Sequence, residues 1–205
     1  MPPLWLEQLR RIQALAQTGL QYGRDAFDLE RYTAILGSVD ALVAVLGELA
    51  PDAAREVFVR ETGYATPKID VRGAAFDAGR ILLVRERADG LWTLPGGWAD
   101  VGESPAEAVA KEVREESGLE VRVAKLAALW DRDRQGHPPN PHHVYKVFFL
   151  CDVVGGAAAA GPETSDVGFF APDALPPLSL GRVTPAQIRR MFEHHEDPSL
   201  PTDFE

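Results

Sequence analysis

Residues Gly97 to Leu119 read GWADVGESPAEAVAKEVREESGL, and the rest of the chain is arranged around them. The second half of this stretch is a helix marked at both ends. Ser104, Pro105 and Glu107 supply an N-cap, a first-turn proline and the third-position glutamate of a capping box. Gly118 is the residue that enters the left-handed region at least cost and so stops the helix. Between the caps, Glu112, Glu115 and Glu116 are spaced three and four apart and fall on one face, while Ala106, Val109, Ala110 and Val113 are expected to form an apolar stripe on the other side. Like charges at that spacing repel, each pair costing a few tenths of a kcal/mol, about 0.2–0.5. A hard divalent cation removes this cost, because Mg²⁺ or Mn²⁺ takes carboxylate oxygen and keeps positions open for water and phosphate. Just upstream, Leu94-Pro95-Gly96-Gly97 forms a tight turn in which the Gly97 carbonyl can face the cation with no side chain in the way. An acidic surface helix alone would explain the glutamates less well than this combination of caps, double glycine and upstream Glu103.

Gly97, five residues, Glu103, seven residues and then Lys111-Glu112-Val113-Arg114-Glu115-Glu116-Ser117-Gly118-Leu119 resemble the signature of the Nudix hydrolases. The resemblance implies an αβα sandwich with a mixed sheet, Mg²⁺ (or Mn²⁺) as cofactor, and Glu112, Glu115 and Glu116 as metal ligands, with Gly97 as a further one. It implies a catalytic part for Glu115, a supporting one for Glu103, and for Lys111 the orienting of the carboxylates. The family usually carries arginine at the position of Lys111, and lysine keeps the charge but loses the planar fork. Asp100 stands where glutamate is common. A loop acid beyond the helix acts as base or extra ligand in many members, and Glu163 or Asp166 is the candidate here.

The chain has 205 residues, 45% of them hydrophobic, enough for one medium domain with a small one before it. A net charge of −10 argues against a general nucleic-acid surface, though not against a phosphorylated substrate met through a bound cation. The single cysteine, Cys151, lies in an apolar run and is expected to be a small buried hydrophobe. Neither a signal-peptide pattern nor a membrane-spanning apolar run is present, so a cytoplasmic protein is expected.

Residues 4–18 carry Trp5, Leu6, Leu9, Ile12, Leu15 and Ala16 at helical spacing, ending at Thr18-Gly19. A second helix is expected after Asp28, weakened or bent at Gly37, and a third from Pro51 to about Arg60. Some sixty residues are few for an independent core, so this part should pack on its neighbour or on a second copy. The stretch WLEQLRRIQALAQTGL, Trp5 to Leu20, is similar to the helical domain preceding the catalytic domain in a subgroup of bacterial Nudix hydrolases associated with ADP-ribose and CDP-choline. That likeness implies a homodimer formed through residues 1–63, an α+β catalytic domain at 64–205, and a nucleotide as small-molecule substrate.

Gly63 to Lys68 reads as a linker, followed by a hairpin: Ile69 to Phe76, a turn at Asp77-Ala78-Gly79, and Arg80 to Arg87. Arg72, Arg85 and Arg87 on it are candidates for substrate phosphate or ribose. Trp92 is read as packing under the glycine turn; Trp98 is a candidate to stack on a base, with core packing the stronger reading. Glu120 to Leu129 is a strand, and the proline- and histidine-rich Gln135 to His143 a substrate-facing loop without zinc spacing. Val144 to Val154 is a central strand, Gly155 to Gly161 a loop, and Val167 to Phe170 a short strand. Thr184-Pro185-Ala186-Gln187 opens a final capped helix with Ile188, Met191 and Phe192 inward, and the tail from Asp197 is expected to be loose.

The resulting expectation is metal-dependent hydrolysis of a phosphoanhydride in a nucleoside diphosphate linked to another moiety, ADP-ribose first and CDP-choline next. An RNA 5′-end pyrophosphohydrolase or nuclease is the alternative, and a non-catalytic nucleotide-sensing regulator the third.

Overall fold

A computed structural model describes residues 3–46 and 63–205, so the third helix expected near Pro51 lies outside the described residues. The chain divides into two compact units, Met1–Pro67 with Pro139–His143, and Lys68–Pro138 with Val144–Glu205. In the first, α1 (Leu4–Tyr22) and α2 (Ala26–Leu46) pack through Leu6, Leu9, Val39 and Val43. α1 does not stop at Gly19. A Cβ there would lie 2.5 Å from the Tyr32 ring, so this glycine serves close helix packing. α2 begins before Asp28, because the Asp25 carboxylate accepts the Phe27 and Asp28 N–H groups at 3.0 and 3.1 Å and caps it there; it then runs through Gly37. The end of the proline-histidine loop belongs to this unit, where Arg10 donates to the carbonyls of Asn140, Pro141 and His142.

The second unit is a sheet between two helices. Its strands are β1 (Lys68–Asp77), β2 (Arg80–Glu86), β3 (Trp92–Thr93), β4 (Leu119–Asp131), β5 (Val144–Gly156), β6 (Thr164–Phe170) and β7 (Asp203–Phe204). The order is β3-β2-β1-β5-β4-β7, with β6 on β2. β1 runs parallel to β5 and β4 parallel to β7, while the remaining pairs are antiparallel, so the sheet is mixed. Helix α3 (Pro105–Ser117) covers one face through Val109 and Val113, against Val71, Ala75 and Phe149. Helix α4 (Pro185–Glu196) covers the other through Ile188, Met191 and Phe192, against Ala74 and Phe148. Gly73 lets α3 come close, since a Cβ on it would meet Val113 at 2.6 Å. Cys151 is buried in the α3-side core, and burial pushes its thiol up to about 12.

β1 and β2 turn through Ala78 (φ 47°) and Gly79 (φ 73°), the pair of left-handed residues that a two-residue hairpin needs. They pair only near that turn, Phe76 with Ile81 and Asp77 with Arg80. Beyond it, β1 gives its edge to the glycine turn: Gly73 N–H donates to the Pro95 carbonyl, Val71 N–H to the Gly97 carbonyl, and Ala99 N–H to the Ile69 carbonyl, at 2.8–3.0 Å. This zipper holds the glycine turn over the sheet. β6 starts at Thr164 rather than Val167, which places Asp166 inside a strand opposite Arg85.

The tail is not loose. β7 adds to the edge of β4 at Ala128 and Leu129, and Asp203 accepts two bonds from Arg190 and faces the buried His194 ring at 3.2 Å. An unpaired strand edge and a charged partner on α4 supply what tail composition does not show. Among the described residues, no helix is long and apolar enough to cross a membrane.

Candidate active site

The capping box closes as its residues dictate: Glu107 N–H donates to Ser104 Oγ at 3.3 Å, and Ser104 N–H donates to Glu107 Oε2 at 2.9 Å. Gly118 ends α3 at φ 71°. The apolar stripe does not oppose the carboxylates. Val109, Glu112, Val113 and Glu116 follow i, i+3, i+4, i+7 and share one side, so Glu116 is drawn into the core at 6% exposure and Glu112 is half-buried. Ala106 and Ala110 are only half-buried; Ala108 is buried instead. Glu115 is exposed on the flank.

The glycine turn meets these glutamates directly. Gly96 N–H donates to Glu116 Oε2 at 2.8 Å. Gly96 sits at φ 141°, where a Cβ would be 2.0 Å from the Val71 carbonyl, and a Cβ on Gly97 would meet the Glu112 carboxylate at 3.2 Å. Only glycine fits at the first position, and at the second its bare Cα leaves the carboxylate room. Burial pushes the Glu116 carboxyl up to about 7, with Arg72 and the Gly96 N–H opposing and Glu86 and Glu112 adding to the rise. Glu112 is raised as well, by burial first, against the pull of Arg72.

Lys111 donates to Asp100 at 3.0 Å and to Glu103 at 3.1 Å. Those two carboxylates hold its ammonium above the usual lysine range. Its partners are thus the loop acids before α3, and none of the three helix glutamates bonds to it among the printed contacts of Lys111. Lys111 pins the loop to the helix.

The hairpin arginines have separate fates. Arg72 is buried, with Nε and Nη2 on Asp70 at 2.8 and 2.7 Å and Nη1 on the Leu94 carbonyl at 3.1 Å. Its guanidinium is committed to the protein, beneath the carboxylates. Arg85 is exposed and donates to the Gly90 carbonyl at 2.7 Å; Arg87 is exposed and donates to the Pro162 carbonyl at 3.0 Å. Trp98 is not a core residue: at 48% exposure it bridges Asp70 in the zipper while its ring lies 6.0 Å from Lys68 Nζ. Glu163 is exposed, and its charge is felt by both Glu112 and Glu86. Asp166 is exposed and accepts the Val167 N–H at 2.9 Å.

Three further charged residues escaped the sequence reading. Asp70 and Lys146 face each other across β1 and β5, with Lys146 Nζ donating to Asp70 at 2.6 Å and only 1% of Lys146 exposed. Arg72 and Lys146 outweigh the burial that would raise Asp70, and hold its carboxyl down to about 2. Glu86, at the end of β2, is buried and paired with Arg182 at 3.1 Å. The available signal was a charge interrupting an apolar strand, as Lys146 interrupts Val144 to Leu150.

Residues 66–192 match the NUDIX domain, more than half of the chain. The chain belongs to the Nudix hydrolase family. Residues 3–58 match the UDP-X-like, N-terminal oligomerisation domain. The chain is 43% identical to the candidate ADP-ribose pyrophosphatase YjhB of Bacillus subtilis over 98% of its own length and 97% of that protein's. Among solved structures, an ADP-ribose pyrophosphatase from Streptococcus suis is 44% identical, with a TM-score of 0.63 over 68% of this chain and 100% of that one. A UDP-X diphosphatase is 32% identical, with a TM-score of 0.63 over 97% of this chain and 96% of that one. The enzyme therefore shares both its parts with known Nudix proteins.

Proposed function

We propose that this enzyme hydrolyses the pyrophosphate bond of a nucleoside diphosphate joined to a second moiety, with ADP-ribose the first substrate and CDP-choline the next. The carrying observation is the pair Glu112 and Glu116, set on one helix face against Gly96 and Gly97. The donor set suits Mg²⁺ or Mn²⁺: hard carboxylate oxygens, two of them on side chains whose burial penalises an unneutralised charge. Glu112, Glu115 and Glu116 would hold the cation, with the Gly97 carbonyl as a further ligand; that oxygen already accepts the Val71 N–H at 2.8 Å and keeps a second lone pair. A bound divalent cation neutralises diphosphate oxygens and acidifies water.

The protein's own residues do the rest. Gly96 N–H fixes the rotamer of Glu116. Lys111, with Asp100 and Glu103, holds the loop that enters α3. Glu163 accepts the proton of the attacking water. Arg85, Arg87 and Trp98, exposed on the hairpin and glycine turn, are the side chains available to phosphate, ribose or base. Residues 1–63 form the helical domain through which two copies associate, and 64–205 the catalytic domain, a reading supported by the oligomerisation-domain match.

The substrate choice draws on the relatives named for ADP-ribose. A UDP-linked substrate is the second reading, because the UDP-X diphosphatase resembles the chain across both parts. The test measures phosphatase-coupled phosphate release from ADP-ribose, CDP-choline, a UDP-sugar and a 5′-triphosphate RNA with Mg²⁺ or Mn²⁺. Metal-dependent cleavage of ADP-ribose, lost in Glu116→Gln, is expected; cleavage of the RNA alone would overturn the reading.

A further inference from the structure

Glu163 has an exposed side chain, but its backbone is tied on both sides. On one side, Arg87 N–H donates to the Glu163 carbonyl at 2.9 Å and Arg87 Nε donates to the Pro162 carbonyl at 3.0 Å. On the other, the hydroxyl of fully buried Thr164 donates to the Glu116 carbonyl at 2.8 Å and accepts the Gly161 N–H at 2.7 Å. Ala159 N–H donates to the Ser117 carbonyl at 2.9 Å. Gly161 lies so near the end of α3 that a Cβ on it would be 1.9 Å from the Glu115 carbonyl.

A helix ends with carbonyls that have no partner within it. Here two of them, on Glu116 and Ser117, are closed by the segment that carries Glu163. The last turn of α3 and Glu163 are thereby joined through a single buried hydroxyl.

We propose that Thr164 and Arg87 are positioning residues, which hold Glu163 in register with the glutamates at the end of α3. This rests on Glu163 being the proton acceptor. A proton acceptor works only within hydrogen-bond reach of its water, and a misplacement of about 1 Å can cost about 10²-fold in rate. Thr164→Val would remove both hydroxyl bonds at nearly constant shape, whereas Thr164→Ser keeps them. Arg87→Met would remove the Pro162 bond alone.

The experiment is a set of double-mutant cycles, measuring kcat and KM on whichever small diphosphate the enzyme cleaves fastest. Glu163→Gln should lower kcat by about 10²-fold or more. Thr164→Val should lower kcat about tenfold with KM little changed, Arg87→Met less, and Thr164→Ser should stay near wild type. In the Glu163→Gln background the Thr164 and Arg87 changes should cost less than about twofold, because the group they position is already gone. Equal losses in both backgrounds, or Thr164→Ser as slow as Thr164→Val, would overturn the positioning role while leaving the base in place. Full turnover by Glu163→Gln would instead remove the base assignment, and the positioning role with it. If Thr164→Val does not fold, as a thermal melt would reveal, the Arg87 cycle and Thr164→Ser decide.

Discussion

The Gly96 N–H donates to Glu116 Oε2 at 2.8 Å, joining the glycine turn to the buried end of the carboxylate helix. Only one amide bond is available to a carboxylate that burial has raised to about 7, so proton and cation compete for it. The raised value means that, in metal-free protein, stability from Glu116 is full below about 4.5 and lost as pH rises through about 7. A bound cation has the opposite preference, because its ligands must be deprotonated. Mn²⁺ affinity, measured by calorimetry, should therefore weaken by about tenfold per unit as pH falls below about 7. Glu116→Gln should bind Mn²⁺ weakly and lose that slope. A slope unchanged in the variant would place the titrating group elsewhere.

Asp70 is the only printed anion bonding to the buried cations Arg72 and Lys146. Asp70→Asn should cost about 3–5 kcal/mol in urea unfolding, the usual penalty for breaking a buried ionic set from one side. Adding Lys146→Met should recover part of it. With the Asp70 carboxyl held at about 2 against 3.8, its stabilising contribution is present above about 4 and is lost as pH falls toward 2. The acid limb of the unfolding curve should accordingly flatten in Asp70→Asn.

Lys111 acts on the loop acids, so its missing fork matters little. Lys111→Arg can still reach Asp100 and Glu103 and should turn over near the wild-type rate. Lys111→Met should release the loop and slow kcat by up to about 10²-fold, the scale of an ångström-sized misplacement. Steady-state rates on the three variants at the glutamates' working pH decide this; a large gain from arginine would return Lys111 to orienting the helix carboxylates.

The elements with strong local signals were legible from residues alone. α3 and α4 carry capping boxes, proline at the first turn and an apolar period, and the hairpin turn carries the residues that tolerate positive φ. Signals of this kind act within four residues and need no distant partner. Where a local signal had a distant competitor, the reading failed. Gly19 reads as a stop, yet it makes room for Tyr32, thirteen residues on. The tail reads as loose, yet β4 offers an edge and Arg190 a charge.

By itself, then, the sequence determined the carboxylate helix, the glycine turn before it and the family, because spacing along one helix translates directly into a shared face. Only the tertiary structure decided which carboxylate is buried, that Arg72 serves Asp70, that Lys111 serves the loop, and that Thr164 ties Glu163 to the helix end. These are pairings across strands and loops up to 76 residues apart, as between Asp70 and Lys146. Burial and counter-charge depend on what the fold brings near, and no local pattern carries that information.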